Sequence, residues 1–348
     1  MIDQKENDMA HLQDKQKNAL KRVPIILLSA LLAYILLSMA FSSIVFHVLF
    51  ARSEIEEKAG LLYADVDAKV YEREEIFFPS GENRLHGYLY AARGDAQALL
   101  IFAGGTGSSA DSYLAQVVRF VDHGFAVLTY DCTGVNGSEG NWRRGLPQAK
   151  LDLLAAIDYA QSDEELSELP LCLYGHSLGG YAVGAALCER QGITAAVCVC
   201  AFDRPTKIMC GKAKEYVGLL AAFGYPFMRL ENFFLFGGDA DSSAKDSIDA
   251  VTTPTFIIKA GGDTVVPEEY SVGGEKNDFS NPNVALLTVS EEGRNAHSTL
   301  WLTAESAEYL LKALEEGETI DRARANVLDE DFMNCIFSFY TEAIKKAS

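Results

Sequence analysis

The sequence predicts an α/β domain built on a largely parallel sheet, tethered by one apolar N-terminal helix. Three observations lead there. Short apolar runs alternate with helix-like stretches from about residue 72 onward. Those runs are continuously apolar rather than alternating, as strands buried on both faces must be. Finally, Val23 to Ala51 reads VPIILLSALLAYILLSMAFSSIVFHVLFA, without Asp, Glu, Lys or Arg.

The chain has 348 residues, 49% of them hydrophobic, which is enough for one large core. A net charge of −19 makes nucleic acid a poor partner, because phosphate binding needs clustered Lys and Arg. The uncharged segment would be about 40 Å long as a helix, against ~30 Å for a bilayer's hydrocarbon layer. Residues 23–51 are therefore expected to be a transmembrane helix, with residues 1–22 as a tail. The rival reading, a cleaved signal peptide, would have a shorter apolar region and a shorter leader. Lys15, Lys17, Lys21 and Arg22 precede the span, whereas Glu54, Glu56 and Glu57 follow it. That asymmetry puts the N-terminus in the cytoplasm and the main domain outside the cell membrane. The seven cysteines pull the other way. Their number is odd, and Cys172, Cys198 and Cys200 sit in apolar runs, as free thiols in a reducing compartment would.

Residues 52–70 mix charges with Ile55, Leu61, Leu62 and Val66 and read as a short helical stalk. The main domain is expected over 71–348, complete without the anchor. EEIFFPSGENRLHGYLYAA suggests a hairpin turning at 80–83. Strand-like runs follow at 98–103, 125–131, 171–176, 195–202, 253–261 and 283–291. Helical stretches are expected at 111–122, 146–161 and 178–191.

Ser177 lies where LCLYGH passes into LGGYAVGAALCERQ, at a strand-to-helix turn. Gly175 and Gly179 leave room for a backbone too tight for side chains, and Gly180 lets the helix approach the sheet. The G-x-S-x-G pattern in this setting is a nucleophile elbow, which exposes the hydroxyl beside helix N-terminal N–H groups. A serine hydroxyl needs a base, and the base needs an orienting acid. Of six histidines, His11 and His47 lie before or within the anchor, His86 and His123 precede the serine, and His176 adjoins it. His297, in a loop after the last strand-like run, is left. The acid should follow a strand between Ser177 and His297. Asp263 in KAGGDTVVPEEY fits, with Glu268 as the nearest substitute and Asp239 and Asp241 as rivals. For an oxyanion hole, Leu178 should donate one N–H and Thr106, in AGGTGSSAD, the other, with Gly105 next. The glycine cluster lacks the lysine of a phosphate loop and the acid of a dinucleotide site, so no cofactor is implied.

In order, AGGTGSS, YDCTGVNGSEG, YGHSLGG, AGGDTVVP and NAHS resemble the α/β-hydrolase superfamily, in particular its lipase-, esterase- and aminopeptidase-like serine members. The resemblance covers about residues 72–317. It implies an eight-stranded, mostly parallel sheet with helices on both faces and the second strand antiparallel. It also implies a Ser177, His297 and Asp263 triad acting on a small-molecule or peptide acyl substrate. Two positions depart from the pattern: Cys132 stands where a basic or aromatic residue is usual, and Gly104 where many members have histidine. Residues 203–251 are short for a lid but suffice for a small aromatic cap. Over 319–347, Val327, Phe332, Ile336, Phe339 and Tyr340 recur at helical spacing, which suggests core packing. Cys198 and Cys200, two apart on a strand, should share one face without a metal-binding partner set. Oligomeric state is not legible.

Overall fold

A computed structural model describes residues 2–90, 96–218, 221–276 and 278–347. Its centre is an eight-stranded sheet in the order β1-β2-β4-β3-β5-β6-β7-β8. β1 (Arg73–Ser80) and β2 (Asn83–Tyr90) form the expected hairpin, and β2 is also antiparallel to β4 (Phe125–Tyr130). The remaining pairs are parallel: β3 (Ala98–Ala103), β5 (Leu171–His176), β6 (Ile193–Val199), β7 (Thr255–Ala260) and β8 (Val284–Val289).

The chain leaves β3 toward one edge of the sheet and β5 toward the other. The carboxyl ends of these neighbours therefore flank the switch point where such sheets bind ligands. β3, β4 and β5 are buried at every position, which explains their unbroken apolar sequences. On one face Leu99, Ile101 and Leu173 pack with α3 (Gln148–Ser162), α4 (Leu178–Ala186) and α7 (Ala244–Asp249). On the other, Leu100, Phe102 and Tyr174 pack with α2 (Leu114–Asp122), α8 (Ala304–Glu316) and, after the short α9 (Arg322–Ala325), α10 (Glu330–Ala347). In α10, Phe332, Ile336 and Tyr340 are buried, and Tyr340 Oη donates to the Leu173 carbonyl of β5 at 2.6 Å. Val327 lies outside the helix and is exposed.

Four local expectations change. The helix after Ser177 ends at Ala186 rather than 191, because residues 187–189 turn toward Gly192, which has positive φ, ahead of β6. Cys198 and Cys200 do not share a face: Cys200 lies just past β6 with a φ of 47°, and this twist sends the two thiols into opposite cores. Residues 52–70 hold one short 3-10 turn, Tyr63–Asp65, rather than a helical stalk. They lie along the domain instead of spacing it: Leu61, Tyr63 and Val66 pack on the core, and Asn326 Nδ2 donates to the Ala59 carbonyl at 2.6 Å. The N-terminal helix α1 spans Ile2–Leu49, beginning well before the apolar segment.

Within α1, residues 15–49 are long and apolar enough to cross a membrane, with a mean hydropathy of 2.4 over their most apolar window. The cap region holds α5 (Pro205–Val217) and α6 (Ala221–Phe236), and α6 packs along α1.

Candidate active site

Ser177 sits at the carboxyl end of β5, at the N-cap of α4, with φ 55° and ψ −115°. L-residues rarely adopt such a backbone, and the surroundings hold it there. The Ser177 N–H donates to the Val199 carbonyl at 2.8 Å, and its carbonyl accepts the first helical bond, from Tyr181, at 2.9 Å. A Cβ on Gly175 would collide with the Gly179 backbone, and one on Gly179 with the Ala103 carbonyl. On Gly180 it would come within 2.9 Å of the Ala201 side chain. All three glycines of the motif are sterically required.

His297 Nε2 lies 2.9 Å from Ser177 Oγ, and its Nδ1 lies 2.7 Å from Asp263 Oδ2. The carboxylate can only accept, so Nδ1 carries the proton and Nε2 presents its lone pair to the serine hydroxyl. Asp263 Oδ1 accepts the Val265 and Val266 N–H groups at 2.9 and 2.8 Å. Burial works to raise the Asp263 carboxyl, but the bonds from His297 and these two N–H groups outweigh it and hold it below the ordinary range. The other acids are occupied elsewhere. Glu268 pairs with Lys259 at 2.6 Å, Asp239 with Lys150 at 2.6 Å, and Asp241 accepts from Thr206.

Leu178 begins α4, so its N–H precedes the helical bonding. Across the switch point, the Gly105 N–H donates to Tyr113 Oη at 3.1 Å. Among the described residues, the Thr106 N–H has no acceptor. Thr106 and Leu178 line the same narrow cavity of about 40 Å³, together with Phe50, Cys132, Arg143 and Gly145. A larger open groove of about 520 Å³, lined by Arg190, Asp249 and Asn281, lies at the opposite end of the sheet. A Cβ at Gly104 would collide with Ser108 Oγ and come within 3.3 Å of Tyr113, so a histidine does not fit there.

Residue-by-residue reading missed a second histidine. His176 Nε2 lies 2.9 Å from the His297 carbonyl, which can only accept, so Nε2 is protonated and Nδ1 accepts from Tyr113 Oη at 2.8 Å. A continuous chain results, from the Gly105 N–H through Tyr113 and His176 to the backbone of His297. Burial, reinforced by the neighbouring His297, pushes His176 down to about 3 and keeps it neutral. Burial likewise pushes the Tyr113 phenol up to about 12. The only sequence signal was the polar His176 inside an apolar strand end, because Tyr113 is 63 positions away.

His176, Cys200 and His297 bring their ligating atoms within 4.8 Å of one another. Both nitrogens of each histidine are committed to the bonds above, so this donor set is spent as it stands.

Residues 94–232 match the family model described as serine aminopeptidase, S33. Two Escherichia coli proteins, each described as an uncharacterized 31.7 kDa protein in the traX-finO intergenic region, are 30% identical over 97 residues. That segment is 28% of this chain and 34% of theirs, so the match spans about a third of these relatives. Among solved structures, the Pyrococcus furiosus esterase Pf2001 superposes with a TM-score of 0.57 at 17% identity, over 84% of this chain and all of that one. The Pyrococcus horikoshii acylaminoacyl peptidase gives 0.52 at 14% identity, over 78% of this chain and 42% of that one. The chain has the α/β-hydrolase fold.

Proposed function

We propose that this protein is a membrane-anchored serine hydrolase that cleaves an ester, thioester or amide through an acyl-enzyme. One observation carries the reading: the Ser177 hydroxyl, the His297 imidazole and the Asp263 carboxylate lie in sequence at 2.9 and 2.7 Å. In the first step, Ser177 Oγ attacks the acyl carbonyl while His297 Nε2 takes its proton. Asp263 stabilises the resulting imidazolium, and the oxyanion meets the Thr106 and Leu178 N–H groups. His297 then protonates the leaving group, and a water activated by the same nitrogen releases the acid. An ester is favoured over a peptide with a free amino terminus. The single carboxylate lining the adjacent cavity, Asp152, already accepts four hydrogen bonds, from Ser80, Gln148 and twice from Thr133. Three of these bonds fall on Oδ1 and one on Oδ2, and the carboxylate is fully buried, so it is not presented to a substrate ammonium.

Residues 23–51 supply the anchor, and the basic residues before them orient the tail inward and the catalytic domain outward. A substrate panel tests the chemistry. The full-length protein in detergent should hydrolyse short acyl esters of p-nitrophenol faster than aminoacyl p-nitroanilides. Turnover of the anilides alone would replace the esterase reading by a peptidase. Turnover of neither class would favour an inactive binding module on the same fold.

A further inference from the structure

The cap helix α6 and the N-terminal helix α1 pack as one parallel pair. Tyr34 of α1 meets Phe227 of α6 edge-on, with ring centroids 5.9 Å apart. At the other end, Phe46 of α1 and Phe236 of α6 both lie over Gly145, which has no side chain to displace them. Twelve residues of α1 separate these contacts, about 18 Å of helix. Along that stretch α1 loses exposure on one stripe, Ile35, Ser38, Met39, Ser42 and Phe46, at three- and four-residue spacing. The face of α6 left open is apolar, with Leu230, Phe233 and Phe234 exposed by 36, 58 and 66%. Arg229, whose guanidinium lies 5.9 Å from the Tyr225 ring, is the charged residue on that face. An isolated surface helix of a water-soluble domain seldom shows adjacent bare phenylalanines. Here they sit beside the exposed apolar surface of α1, which includes Leu36, Leu37 and Phe41.

The same elements frame the narrow cavity lined by Thr106 and Leu178. Arg143 donates to the Leu49 and Ala51 carbonyls at the end of α1, and Arg144 to the Leu235 carbonyl of α6. Phe50 and Gly145 line the cavity beside Thr106 and Leu178. The end of the anchor, the end of the cap and the oxyanion loop thus share one wall.

Resting on the hydrolase reading above, we propose that α6 enters the bilayer leaflet facing the domain alongside α1, and that the substrate is an acyl ester of a lipid drawn from that leaflet. Leu230, Phe233 and Phe234 contact the acyl chains of that leaflet. A lipid leaving the leaflet beside α6 meets the Phe50 end of α1, and its ester carbonyl reaches Ser177 without crossing water. Ester oxygen and acyl carbon separate as described above, and water supplies the balancing atoms.

Two measurements on the full-length protein in phosphatidylcholine vesicles test this. In the first, Phe234→Trp is compared with the parent protein and with Phe77→Trp, exposed on β1, using phosphatidylcholine brominated near the top of its acyl chains. Extra fluorescence from position 234 should be quenched and that from position 77 should not. No quenching at 234 overturns the proposal whether or not the protein is active. In the second, a Phe233→Asp, Phe234→Asp double variant is assayed on long-chain monoacylglycerol in the vesicles and on dissolved p-nitrophenyl acetate. Lipid turnover should fall about tenfold with acetate turnover unchanged. Equal lipid turnover by parent and variant overturns the proposal. A parent that cleaves the acetate but not the lipid overturns the substrate class alone, whereas one that cleaves neither overturns the hydrolase reading beneath it.

Discussion

At the scale of single residues, the site depends on two histidines with opposite tasks. In the proposed mechanism His297 exchanges a proton with Ser177, whereas His176 stays neutral while bridging Tyr113 and the His297 backbone. Asp263→Asn should lower kcat by on the order of 10⁴-fold with little change in KM, because the amide favours the wrong imidazole tautomer. Stopped-flow hydrolysis of a soluble ester checks it. Tyr113→Phe removes the middle of the bridge and leaves the buried Gly105 N–H without its acceptor, which should cost about 1–3 kcal/mol of stability and lower kcat while sparing KM. The folded value of His176, pushed down to about 3, lies below the unfolded ~6.5, so the unfolded chain takes up a proton first as pH falls. This group's contribution is full above pH ~6.5 and declines below it, by about 2 kcal/mol at pH 5. A melting profile from pH 7.5 to 5 should flatten in His176→Gln; an unchanged slope would remove His176 as its source. The grouping of Ser177, Asp263 and His297 was legible because each sits on a loop after a strand and few histidines compete. The role of His176 was not, since it depends on a tyrosine brought close by a different crossover.

At the scale of elements, the sheet was legible because burial on both faces leaves no room for alternation in β3 to β6. The glycines of the elbow show why position matters more than composition. Gly179→Ala places a methyl group against the Ala103 carbonyl, whereas around Gly238 a Cβ meets nothing within 4 Å. Gly179→Ala should therefore unfold the domain or lower its melting temperature sharply in circular dichroism, and Gly238→Ala should not. Tyr340→Phe tests the docking of α10: losing the bond to Leu173 should cost about 1 kcal/mol in a denaturant titration. The twist at Cys200 escaped the sequence because a left-handed cysteine has no compositional signal. The extended course of 52–70 escaped because its apolar residues fit a helical period by chance and are held by tertiary contacts instead.

For the whole molecule, the sequence separated an anchor from a domain, and the structure joins them. Phe46 is fully buried, His47 stacks on Trp142 at 4.2 Å, and Arg52 donates to the carbonyls of Asn136, Ser138 and Gly140. No sequence period reports such contacts, because the partners lie some ninety positions apart. Removal of residues 1–52 should consequently loosen the 132–146 loop and reduce soluble-ester turnover relative to removal of 1–44, both assayed in detergent. Equal activities would mean that the anchor is only a tether. Orientation is checked separately: protease added to sealed cells should digest the domain, and full protection would reverse the assigned side. The central claim is that Ser177 is an activated nucleophile in the intact chain. A fluorophosphonate probe applied to the full-length protein, followed by peptide mass spectrometry, tests it directly. The account requires the adduct on Ser177, its loss in Ser177→Ala and its strong reduction in His297→Ala. A folded protein that stays unlabelled, or carries the adduct on another serine, would contradict it.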